Sequence, residues 1–384
     1  MTSAQAGGDA TARRRAEFRL IASDIRWSWA VARDAAAQVI QSPMPLLCVI
    51  PLLSLIIYES QRYLIEAQPA LAQSLELQYS STIEQSRHRT KLFDDTHLGM
   101  DGVAEYFSED LMAAHRTKFI ESVRYIPLAS LWKSDLGLTG YRNRQIATTF
   151  VIHFNLGTSP DMITRDNPAE PQGMGVDMGG YLAALAPAFE NQFPDLDWTP
   201  GSFLARINAD QLTQGDVRSS KYFGSLFGGK LPVGILAALD AFRCALNTIA
   251  VLISADMSMD SAPTIFKFRF ITLYHVLTGL QQLRSVHSQV LDAEADRKLT
   301  ELENHPTTLL LRSDNARWFR NTLIHYGLSS QCPTTALNPG RPLSGLADFY
   351  FPTRGFKPLA TQIQEHVDLV AELLDDWATP RTQK

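Results

Sequence analysis

Val233-GILAALDAFRCALNTIAVLI-Ser254 and, after a short break, Pro263-TIFKFRFITLYHVLTGLQQLRSVHSQV-Leu291 decide how this chain folds. The first stretch is apolar almost all the way round and reads as a largely buried helix. The second reads as a long amphipathic one. Working outward, a charged helix is expected over about 292 to 304. A short helix follows in Asp314-NARWFRNTLIHY-Gly327, with Asp314 as its N-cap and Gly327 as its stop. A loop rich in Pro and Gly spans about 329 to 357. The chain closes on Leu359 to Trp377, where Ile363, Val367, Val370, Leu373 and Leu374 form one stripe. These pieces make a four- or five-helix bundle over 233–384.

Helical patterns also fill the N-terminal side. After a leader of Gly, Ala and Ser expected to be disordered, one long helix covers about 12 to 41 and a second about 44 to 68, with Ser42 and Pro43 at the joint. Further helices are expected over about 69 to 92, 102 to 124 and 142 to 154. No clean period-two alternation demands a sheet, so the fold class is mainly α. Between Gly157 and Pro232, breaker residues accumulate around short helices at about 180 to 191 and 202 to 212. Three segments follow: a helical region 1–156 for sensing, regulation or dimerisation, a Gly/Pro-rich connector or insert 157–232, and the bundle 233–384.

Composition narrows the function classes. The 384 residues include 45% hydrophobic ones, enough for real cores. A net charge of -5 argues against coating nucleic acid through bulk charge, so any RNA contact must be focused. Cys48, Cys244 and Cys332 are far apart and lack zinc spacing. They read as reduced, buried thiols of a cytoplasmic protein. Arg13, Arg14 and Arg15 are not followed by a signal-peptide core. The apolar run Pro45 to Tyr58 is short for a bilayer and contains Pro51, so it reads as a kinked core helix, with Glu59, Arg62 and Glu66 marking its exit from the core. No membrane association is expected.

The chemistry concentrates on the short helix. At about 100° per residue, Phe319, Leu323 and Tyr326 share a side that faces the core, while Arg317, Arg320, Asn321, Ile324 and His325 fan across the other. Ile324 in that polar fan is the mark of a face covered by a second subunit. Arg320, Asn321 and His325, as Arg-Asn-x3-His, resemble the motif of the HEPN superfamily, and the buried and amphipathic helices before them resemble that family's bundle. The resemblance covers 233–384. It implies metal-independent endoribonuclease activity, an active cleft where two bundles form a homodimer, and a role as a toxin or antiviral effector that stops growth, with an inhibitory partner or an activating trigger.

Independently of that resemblance, RNA cleavage by its own 2′-hydroxyl needs a proton acceptor, a donor for the departing 5′-oxygen, and positive charge at the phosphorus. His325 suits acid or base work near neutrality, and Arg320 offers planar donors to phosphate oxygens. Asn321 orients His325 or binds the phosphate or the 2′-hydroxyl. On an ideal helix the Arg and His lie about 140° apart, which two copies across a two-fold axis would reconcile. Arg317 and Arg312 are candidates for flanking phosphates. Neither metal nor cofactor is expected. The competing readings are a non-catalytic helical adaptor, and a membrane-associated regulator using Pro45 to Tyr58. Elsewhere, Gly224 to Lys230 has Walker-like spacing but Leu231 and Pro232 where a Ser or Thr and a helix start belong. Tyr141 to His153 reads as an ordinary helix, Asp94, Asp95 and His97 as a solvated turn, and His275 and His287 as structural residues without carboxylate partners.

Overall fold

A computed structural model of the chain describes residues 3–37, 42–75, 80–91, 99–113, 134–157, 169–255, 261–338 and 340–379. Helix α1 (Ser3–Ala36) precedes α2 (Met44–Ala67), whose interior holds Pro51, and α3 (Pro69–Ser74), α4 (Ser81–Lys91) and α5 (Gly99–Glu105) follow. After α5 the chain widens into a π-helical segment, Tyr106–Met112. Strands β1 (Leu136–Tyr141) and β2 (Arg144–Thr148) lead into α6 (Thr149–Leu156) and α7 (Ala169–Gln192). Next come β3 (Leu212–Val217), α8 (Ser219–Ser225), α9 (Val233–Asn247) and α10 (Ala262–His287). The chain ends with α11 (Ala293–Glu303), α12 (Pro306–Leu311), α13 (Asp314–His325), α14 (Pro342–Tyr350) and α15 (Phe356–Ala378). The protein is mainly α, as its periodicity requires.

Three expectations change. The leader is the start of α1, where Arg13 donates to the carbonyls of Ser329 and Cys332 at 2.6 and 2.7 Å and Thr334 donates to Asp9 at 2.7 Å. Contacts to the 328–334 loop thus stabilise a segment of low intrinsic helix propensity. Residues 142 to 148 are not helical. Arg142 and Asn143, both at positive φ (50° and 60°), make the two-residue reversal between β1 and β2. Finally, β3 pairs antiparallel with β1 to complete a sheet ordered β2-β1-β3. Its residues, Leu212 to Val217, are mostly polar and exposed, so no alternation announces them.

Segment 157–232 is integral to the fold. It supplies β3, and its α7 packs along α1. One hydrophobic core runs through all three sequence segments. Trp27 of α1 shows how: its ring stacks on Phe203 of the 157–232 segment at 6.1 Å and meets Phe268 of α10 edge-on at 5.0 Å. Gly157, with φ 69°, ends α6, and Pro232 opens α9, so the segment boundaries fall at helix ends while the cores merge. Among the described residues two helical stretches, Met44–Ala67 and Val233–Leu252, are long and apolar enough to cross a membrane, with 67% and 83% of their most apolar windows buried inside the chain. Cys48, Cys244 and Cys332 are buried and free.

Close approach of α9 to α5 depends on Gly234, where a Cβ would lie 2.2 Å from the Ala104 carbonyl oxygen. Gly234→Val is expected to force the helices apart and lower stability by about 1–3 kcal/mol in urea unfolding. On α15, His366 is buried, with Nε2 2.8 Å from Thr308 Oγ1 and its ring 4.4 Å from that of His305. Burial, reinforced by His305, depresses its pKa to about 4. The unfolded chain therefore takes up a proton at His366 before the folded one does, so its contribution is complete above pH ~6.5 and is lost as pH falls to about 4. His366→Gln should flatten the stability-pH curve across that window, by up to about 3 kcal/mol at its acid end.

Candidate functional site

Helix α13 carries the Arg-Asn-x3-His motif, and its ends differ from expectation by one residue each. Ser313, not Asp314, is the N-cap, its hydroxyl accepting from the Ala316 amide at 3.2 Å. Tyr326, not Gly327, takes the left-handed conformation (φ 62°) that stops the helix. A tyrosine accepts that strained geometry because its hydroxyl is fixed elsewhere: it donates to Asp24 of α1 at 2.8 Å and accepts from Lys267 of α10 at 3.0 Å. Lys267 in turn donates to Asp24 at 2.6 Å, and Thr264 donates to the other Asp24 oxygen at 2.7 Å. Burial lowers the Lys267 pKa, opposed by the Asp24 charge. Burial and Asp24 push the Tyr326 phenol far up.

The core side of α13 is as expected. Phe319, Leu323 and Tyr326 are buried, and the Phe319 ring meets Phe270 and Phe351 edge-on at 5.0 and 5.4 Å. On the other side, Ile324 is only 1% exposed within a single chain. It therefore cannot be the dimer contact that the helical projection assigned to it. The reason is that α13 packs against α2, α10 and α14 of the same chain, and this packing within one chain buries the residue that seemed to await a partner.

Covering by α2 also decides the setting of the motif. His325 donates through Nδ1 to Glu59 Oε2 at 2.8 Å, while its side chain remains 41% exposed. The second carboxylate oxygen of Glu59 accepts from Arg87 of α4, through Nε and the terminal nitrogen, both at 2.9 Å. Glu59 and Arg87 are buried, at 1% and 2% side-chain exposure. Burial pushes the Glu59 carboxyl up, but the His325 hydrogen bond and the Arg87 charge outweigh it and hold the group below the usual carboxylate range. A carboxylate here makes Nδ1 the protonated nitrogen of neutral His325 and leaves Nε2 as the acceptor.

Arg320 turns away from this pair. Its guanidinium carbon sits 4.7 Å above the ring of Tyr274 on α10. Asn321 is half-buried between Arg320 and His325 in sequence. Arg317 is exposed, 3.4 Å from Asp314 and 5.5 Å from the Trp318 ring, and Arg312 is exposed at the end of α12. The three motif residues thus share a helix, with the two charged ones on different neighbours, as their 140° offset requires.

Sequence reasoning missed Glu59, taking it as a solvated flank of α2. Nothing local marks it, since its partners lie 28 and 266 residues along the chain. His287 has a carboxylate partner after all, Asp101 at 3.0 Å. Residues 224 to 230 form helical turns with Phe227, Gly228 and Gly229 at positive φ, preceded by α8 rather than a strand, so they make no phosphate loop. Asp94, Asp95 and His97 lie outside the described residues, among which no group of three His, Cys, Asp or Glu side chains could hold a metal. No family model, characterised protein or solved structure matches the chain.

Because Glu59 accepts from Arg87 and His325 and lies 3.9 Å from Arg62, Glu59→Ala removes a buried carboxylate from several cationic or donor groups at once, the buried Arg87 among them. A loss of about 3–5 kcal/mol in urea unfolding is expected, against a smaller loss for His325→Ala, whose side chain is partly in water.

Proposed function

We propose that the chain is a metal-independent endoribonuclease acting through His325 and Arg320. The observation that carries this reading is the Glu59–His325 pair. A buried carboxylate fixes the tautomer and orientation of a partly exposed imidazole, which is the arrangement that acid-base catalysis uses. In the proposed reaction, Nε2 of one His325 takes the 2′-hydroxyl proton, the 2′-oxygen attacks phosphorus, and the 5′-oxygen departs with a proton from a second imidazolium. Arg320 stabilises the charge on the phosphorane, and the ends are a 2′,3′-cyclic phosphate and a 5′-hydroxyl. One histidine per chain supplies one of the two proton transfers, so the proposal includes a homodimer built around the exposed edge of α13, with Ile324 excluded from its interface. Arg317 and Arg312, both exposed, are placed on flanking phosphates. Growth arrest, as a toxin or antiviral effector, is the cellular role this activity suggests.

One observation favours a second reading, a non-catalytic adaptor. Arg320 rests on Tyr274 while His325 clamps α2, so both motif charges also have structural employment within one chain. Incubation of labelled single-stranded RNA with the protein in EDTA separates the two. Under the ribonuclease reading, wild type yields cyclic-phosphate ends, and His325→Ala and Arg320→Ala each lower the rate by at least about 100-fold with circular dichroism unchanged. Equal rates in all three proteins would leave the adaptor.

A further inference from the structure

Behind the Glu59–Arg87 pair, α2, α9 and α10 leave an apolar cavity of about 100 Å³. Phe242 and Val276 line it with the polar Thr272 and His275 and the buried Arg87, and exposed Ala245 lies on its solvent side. We propose that this cavity is a ligand site for a neutral, apolar molecule of single-ring size, and that occupancy is transmitted through Arg87 and Glu59 to His325.

Size and polarity set the ligand class. Apolar cavities of about 150 Å³ bind benzene; at about 100 Å³ this one is smaller but open to solvent, so it takes a short branched chain or a single ring that is only partly enclosed. Charge excludes an acid. Both nitrogens of Arg87 that reach Glu59 are at 2.9 Å from one carboxylate oxygen, so the guanidinium is already neutralised, and an anionic ligand would have to displace a buried partner. A lone cation would leave water for a lining that holds no carboxylate, and that desolvation cost excludes it.

Transmission follows from shared atoms. Arg87 lines the cavity, and it holds Glu59 by one carboxylate oxygen while the other holds His325 Nδ1. A ligand packed against Arg87 shifts that guanidinium or immobilises it. Either change alters the hydrogen bond that Glu59 accepts from His325 and therefore the setting of the imidazole. The inference concerns a binding site and the hydrogen bond that orients His325, and it stands whether or not the protein cuts RNA.

Fluorobenzene serves as the probe, with binding followed by ¹⁹F NMR and His325 by its ¹⁵N ring resonances in full-length protein, assigned with His325→Gln. Saturable binding with a shift of the His325 ring resonances is expected. Ala245→Phe fills the mouth from an exposed position and should weaken binding by at least about tenfold. Thr272→Phe, from the α10 side of the lining, should do the same and covers the case in which the first variant fails to fold. No saturable binding to wild type, affinity unchanged in the folded mouth variants, or saturation that leaves His325 unmoved would each overturn the proposal. Because the readout is spectroscopic, failure to cleave RNA leaves this test intact.

Discussion

A single buried carboxylate, Glu59, governs how the two halves of this protein meet. Removed from water, it must be matched on both oxygens, and it is matched by groups from elements far apart in the chain: Arg87 of α4 on one side and His325 of α13 on the other. Asp24 of α1 repeats the arrangement with Lys267, Thr264 and Tyr326. Buried ionic groups tolerate little displacement, since any slip leaves a charge without its partner. The N-terminal helices are therefore held in one register against the bundle by specific atoms, beyond what general apolar packing would enforce.

That register gives α13 its character. A helix at the edge of a bundle would present one wet face, but α13 packs against α2, where His325 meets Glu59, and against α10, where Arg320 lies over Tyr274. What remains accessible is the exposed part of His325, with Asp314, Asn315, Arg317 and Trp318 toward the start of the helix. Enclosure also makes the imidazole a directed group, with Nδ1 committed inward. The left-handed Tyr326 belongs to the same arrangement, because its strained backbone persists only while Asp24 and Lys267 hold its hydroxyl.

The apolar core follows the same plan. Trp27 touches rings from the 157–232 segment and from α10, and the aromatic group around Phe319 fixes the motif helix from beneath. Packing is imperfect where α2, α9 and α10 diverge, and the resulting cavity reaches the back of Arg87. A gap beside a buried ion pair is a place where small changes in packing reach a charged group directly, with no chain of intermediates.

Much of the helical architecture was legible in the residues because it rests on local periodicity. The long apolar face of α9, the amphipathic α10, the stripe of α15 and the proline break before α2 all follow from side-chain spacing and backbone preference, which act within a few residues. The core face of α13, Phe319 and Leu323, was legible for the same reason, and so was the presence of Arg320, Asn321 and His325 on one helix. The sheet was not, because β3 is polar and exposed and its pairing with β1 joins residues more than 70 positions apart. Ile324 was misread because a helical projection assigns faces but not what covers them. Glu59 looked like a solvated helix end until Arg87 and His325 came to it through the tertiary fold. Helices and motif thus belong to short-range chemistry, while burial, ionic partnership and the direction of the imidazole arise only when distant segments share the same space.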